Sequence, residues 1–312
     1  MANKLESQVQ NEWKWPVAAD LFLAGTGAGG YAMGVLASYG GADWEPVART
    51  GVALAFPLLL IASLFLILDL GVKMRALRVF LNPGTSWMTR GSLIISVFMT
   101  LGFLHLVLMV WPGQMAVNAP LLRVIGVVNF VFAILVMIYT GVLLGASRVI
   151  AFWNTAMLPL LFLVSAGSTG VMAVILLTPS SPALSGAFRL LSQVLLVLLV
   201  VQCIVIAFYV QSSHRTDESR ASARLLLKGR LAGTFWFGLI VAGLLIPLAL
   251  MIIEVAAVAE GDLSSTLWVT RIAAILGLFG GLILRRLVLA AGVKAPLRAA
   301  GIEYTFPSPI LR

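Results

Sequence analysis

Four ionisable side chains, Asp20, Asp69, His105 and Glu254, stand inside or at the ends of long apolar runs. An ionisable group in such a setting is costly, and it is kept for proton transfer, ligand binding or pairing. If the runs cross a membrane alternately, Asp20 at the start of the first and Asp69 at the end of the second reach the N-terminal face. Glu254, late in the seventh run, lies near the opposite face, and His105, deep in the third, lies between the midplane and that face. Tyr139, near the end of the fourth run, shares the level of the two aspartates. A phenol at that depth can donate to a carbonyl, and two carboxylates beside it can move protons. Each residue also has a plainer reading. Asp20 can cap its helix, Asp69 can pair with Lys73 one turn on, and Tyr139 can be an interfacial anchor.

The elements that must position these groups are membrane helices. The chain has 312 residues, 61% hydrophobic and 11% charged, far from the mix of a soluble domain. A bilayer core takes about 20 apolar residues per helix, and eight such segments fit: 17–38, 51–70, 91–111, 121–145, 156–178, 186–210, 231–253 and 268–290. The expected fold is an all-α integral membrane protein of eight transmembrane helices. It forms one polytopic domain over 1–312, with two four-helix halves, 17–145 and 156–290, joined by 146–155. The first segment carries Asp20 and no clear cleavage site, so it reads as a retained helix, not a signal peptide.

Charge sets the expected topology. Alternating the connections leaves 17 of the 21 basic residues on the N-terminal face, with only Arg49, Arg123, Arg189 and Arg271 on the other. Every lysine and arginine is read as lying in or beside a connection, so the basic balance argues for topology and against nucleic-acid binding. Basic short loops mark the cytoplasmic side, which places both termini there. The longest polar connection, 211–230, is a solvated loop or a docking surface for a soluble partner.

Redox centres of the chain's own are hard to build. One cysteine, Cys203, and two histidines, His105 and His214, cannot ligate an iron–sulfur cluster or a structural zinc, nor the two bis-His haems of a haem-bearing bundle. No haem, cluster or metal site is expected. Gly25-Thr26-Gly27-Ala28-Gly29-Gly30 formally matches a dinucleotide fingerprint, which needs a strand before it and a soluble βαβ unit around it. Inside a span, Gly25 and Gly29 instead let helices approach closely. Gly27-x-x-Gly30 and Gly167-x-x-Gly170 hint at an internal duplication.

Several short stretches follow one another in a telling order. Trp13 and Trp15 precede Phe22-Leu23-Ala24-Gly25; Leu68-Asp69-Leu70-Gly71 leads through a basic stretch to Asn82-Pro83; Thr85-Ser86-Trp87-Met88 is followed by Gly91-Ser92. Tyr139-Thr140-Gly141 comes next, then Phe152-Trp153-Asn154, Leu158-Pro159, Ser165-Ala166-Gly167-Ser168-Thr169-Gly170 and finally Gly280-Gly281 with Arg285-Arg286. Over nearly the whole chain this set resembles the membrane anchor subunits of the NrfD/polysulfide-reductase type. The resemblance implies a respiratory subunit of the bacterial or archaeal inner membrane. It would bind a quinone, menaquinone or ubiquinone, and exchange electrons with a ferredoxin-like iron–sulfur subunit coupled to a catalytic subunit, often a molybdopterin enzyme. It also implies that Tyr139 and Asp20 bind the quinone head group and that Asp69 handles protons. Asn154 falls near the same face, and Ser165 and Ser168 are placed to line the pocket. His105 and Glu254 are candidates to extend a proton route across the bilayer. Many such subunits face their partner toward the periplasm, whereas the charge bias here points to the cytoplasm.

Two readings from other classes compete. A secondary transporter would carry polar groups at the midplane, while here they gather toward one face. A structural anchor would hold the partner without quinone.

Overall fold

The structure is a computed structural model that describes residues 9–10, 13–69, 86–110, 119–147, 149–181, 184–214, 216–259, 266–295, 297–299 and 302–304. Long helices dominate: α1 Trp15–Ala37, α2 Glu45–Asp69, α3 Trp87–Val110, α4 Ala119–Gly145, α5 Met157–Leu177 and α6 Ser185–Ser212. The short α7, Asp217–Leu227, follows, then α8, π-helical over Thr234–Leu245 and α-helical over Ile246–Ala259, and α9, Thr266–Ala290. Two three-residue strands, Leu297–Ala299 and Ile302–Tyr304, pair antiparallel near the C-terminus.

Among the described residues, seven helices combine the length and apolar composition for crossing a membrane: α2 to α6, α8 and α9. The expected first span does form a helix of 23 residues, about 35 Å at 1.5 Å per residue. It is not among those seven, and Asp20 and a run of glycines interrupt its apolar run. Packing supplies the reason. α1 is surrounded by α2, α5, α4 and α9 and buries most of its residues, so its sides meet protein rather than lipid. The outer helices show the reverse, with Val131, Val197, Ile204, Phe237, Ile253 and Phe279 exposed to the surroundings.

Close approach at the centre depends on glycine. A Cβ on Gly29 would overlap the carbonyl of Ala166, and one on Gly170 would overlap the backbone of Gly29. The glycine run of α1 therefore serves close helix packing. Pro247 lies inside the continuous helix α8, just past the π segment, and its missing N–H cannot donate back to the preceding turn.

The N-terminal segment meets the end of α9. Val9 bridges Val293, Gln10 N–H donates to Gly292 O at 2.9 Å, and the Gln10 amide donates to Leu289 O at 2.9 Å. The start of the chain and the end of its last long helix thus share one face, called here the N-terminal face. The connection after α4 is pinned to the same region: Trp153 donates to Val288 O at 2.8 Å, and Tyr209 to Phe152 O at 3.1 Å. α7 is amphipathic, capped by Thr216, which accepts from Ser219 N–H at 3.1 Å, and it buries Leu225 and Leu226. The connection 211–230 is thus largely a folded helix on the bundle.

One expectation about charge fails. Arg285 does not lie in or beside a connection; its side chain is 1% exposed, inside α9. The neighbouring Arg286 hid it, since a pair of arginines near a helix end reads as an interfacial anchor.

Candidate functional site

Asp20 sits in the second turn of α1, which opens with Trp15 and Pro16 after the cap position Lys14. It is therefore not a cap. Its half-buried carboxyl lies close enough to Tyr139 on α4 for its charge to act on the phenol. The Tyr139 ring is buried because Gly91, at the start of α3, leaves room for it: a Cβ there would overlap the ring. Three helices thus converge on an acid and a phenol at the N-terminal face. Among the described residues neither side chain makes a hydrogen bond, so both have unused capacity in an apolar setting. Gly91 was legible only as part of a pattern; its role depends on the neighbouring helix. Asp69 ends α2, and its side chain lies outside the described residues, as do Lys73 and the connection 70–85.

The remaining candidates occupy other places. Asn154 is exposed and lines a cavity of about 230 Å³ with Thr155, Ser212, Ser213 and Thr216. Ser165 and Ser168 lie in a sealed network between α5, α6 and α9. Arg285 Nη1 donates to Ser165 Oγ, and Ser168 Oγ donates to Gln202 Oε1 at 2.7 Å. Thr26 on α1 bonds to Thr169 at 3.1 Å. The Arg285 guanidinium stacks 5.0 Å from the centre of the Phe162 ring and makes no ion pair among the described residues; its Nε has no hydrogen-bond partner. The sequence reading assigned neither Arg285 nor Gln202 a role, although a polar side chain inside a span is itself the signal for such a network.

His105 and Glu254 are not in one cluster. His105 Nδ1 is 2.7 Å from the Tyr31 hydroxyl, with the buried Asn129 beside that phenol. Glu254, on α8, is buried near Ser192, within reach of the charge of Arg189 on α6. Among the described residues no three of His, Cys, Asp and Glu gather as a metal site would require.

Comparison with known proteins gives a family and two relatives. The family model described as "Polysulphide reductase, NrfD" matches residues 3–296. The sequence is 29% identical to the C subunit of the polysulfide reductase of Wolinella succinogenes over 266 residues, covering 76% of this protein and 82% of that one. It is 27% identical to Protein NrfD of Escherichia coli K12 over 266 residues, covering 76% and 83%.

Proposed function

Because the chain belongs to the NrfD, polysulphide-reductase family of respiratory membrane subunits, we propose that it is the quinone-handling subunit of its complex. Electrons pass between a quinone of the membrane pool and an iron–sulfur partner, which connects to a catalytic subunit elsewhere. The observation that carries this reading is the meeting of Asp20 and Tyr139 at one face, with hydrogen-bonding capacity unspent. When bound, the quinone supplies two-electron, two-proton chemistry. The chain supplies the rest. The Tyr139 phenol donates to one carbonyl, Asp20 accepts or delivers a proton at the other, and the surrounding helices exclude water. Asp69 then relays protons to the aqueous side.

Asn154, Ser165 and Ser168 enter this reading as outer groups. Asn154 stands on the partner-facing surface, while Ser165 and Ser168 stiffen the wall through Arg285 and Gln202. His105 and Glu254 belong to separate polar clusters nearer the opposite face, and a proton route through either would use one cluster, not both. The N-terminal face is cytoplasmic by the excess of lysine and arginine in its connections, so the partner docks from the cytoplasm. The eight-helix topology follows from counting α1 as a span shielded from lipid.

The test is quinone-linked turnover of the assembled complex in membranes. Tyr139→Phe removes one hydrogen-bond donor and lowers turnover about tenfold, the worth of one such bond in a desolvated site. Turnover unchanged in a complex that still holds its iron–sulfur partner refutes the assignment.

A further inference from the structure

The first four long helices carry a second cavity, at the end away from Tyr139. It has a volume of about 290 Å³ and lies where the end of α1, the start of α2, the end of α3 and the start of α4 meet. Its walls include Val35, Ala48, Met109 and Leu122, with His105 and Gly126 also lining it. A bound water has a share of about 30 Å³ and ligand pockets begin near about 300 Å³. The space therefore suits one substituted ring.

The polar equipment is specific. His105 is 8% exposed, and its Nδ1 is engaged by the Tyr31 hydroxyl at 2.7 Å. When the phenol donates across this contact, the ring proton resides on Nε2, which makes no hydrogen bond among the described residues. That nitrogen is then a neutral donor held in place by a buried partner. The charged lining residues stand at the rim. Glu45 pairs with Arg49 at 2.5 Å, both side chains about half exposed, and Arg123 is exposed. The interior is apolar apart from the buried His105, and so fits a neutral acceptor oxygen on a flat apolar body. Gly126 matters to the space: its Cβ would stand 3.4 Å from His105 Cε1 and 3.7 Å from Val35, so any longer side chain there runs into these two cavity-lining residues.

We infer that this cavity is a second quinone-binding site, in which His105 Nε2–H donates to a carbonyl of the head group, on the face opposite the Asp20–Tyr139 site. The inference rests on the proposed function only in taking a quinone as the ligand.

The experiment counts equivalents of a short-chain quinone analogue bound by the purified complex in lipid nanodiscs, by equilibrium dialysis. The wild type binds two. Gly126→Leu, which fills the cavity, binds one, and so does His105→Phe. Gly126→Ala, which adds only an ordinary contact, retains two and shows that the fold tolerates a side chain there. Tyr139→Phe weakens the other equivalent. If Gly126→Leu and His105→Phe bind as many equivalents as the wild type, the second site does not exist, and a loss with Tyr139→Phe alone leaves the proposed function standing. If the single equivalent is lost with Gly126→Leu and kept with Tyr139→Phe, the second site stands and the Tyr139 assignment falls. A wild type that binds no analogue, or retains only anionic phospholipid in the cavity by native mass spectrometry, overturns the inference.

Discussion

The Asp20–Tyr139 corner and the Arg285 network are both polar groups buried in a lipid-embedded protein, yet they are built in opposite ways. At the corner, a carboxyl and a phenol come close and make no hydrogen bond among the described residues. In the network, Ser165, Ser168, Thr169, Thr26 and Gln202 are tied to one another or to Arg285. In the network the hydroxyls and the amide oxygen are spent on holding helices together, with Arg285 Nε left without a partner, whereas both polar groups of the corner are left for a ligand. The difference separates scaffold from site more sharply than burial does, since Tyr139 and Ser168 are both buried.

Substitutions can break this contrast, and the largest effect is expected where the scaffold is tightest. Gly170→Leu drives a side chain into the backbone of Gly29, in a position that cannot yield. We expect loss of assembled protein from the membrane, measured as the yield of folded complex. Next comes the cation. Arg285→Met keeps the volume and removes a buried charge that has no carboxylate among the described residues, so stability stays level or rises by about 1–4 kcal/mol. Arg285→Ala leaves a cavity and lowers stability by about 2–5 kcal/mol. Thermal unfolding in detergent measures both. If Arg285→Met abolishes quinone binding while raising stability, Arg285 belongs with the site and the contrast collapses. The smallest effect is Ser168→Ala, which strips Gln202 Oε1 of its donor and costs about 1 kcal/mol, with quinone binding unchanged. Tyr139→Phe is the mirror image, with turnover lowered about tenfold and stability nearly constant.

How far these two regions were legible in advance differs for a physical reason. Asp20 and Tyr139 stood out because helix alternation alone places them at one level. Depth in a membrane is a one-dimensional quantity, and counting residues along each span recovers it. Rotation about the helix axis is not recovered that way. Ser165 and Ser168 have the right depth to line a pocket, but they turn toward Arg285 and Gln202. His105 and Glu254 both lie toward the opposite face, yet one packs against α1 and α4 and the other against α6. Arg285 was misplaced because its depth near a helix end says nothing about whether it faces water or the interior.

Composition and spacing by themselves determined that the chain is a helical membrane protein, which family its motifs resemble, and that an acid and a phenol share one level. These follow from the cost of exposing polar backbone and charge to lipid, which acts on every residue separately. Only the tertiary structure decided that α1 is shielded by its neighbours and that glycines bring α1 and α5 into contact. It also sealed Arg285 into a network and opened a second cavity around His105. Those outcomes depend on which helix faces which, and that is set by side-chain packing across the bundle, where each contact requires both partners at once.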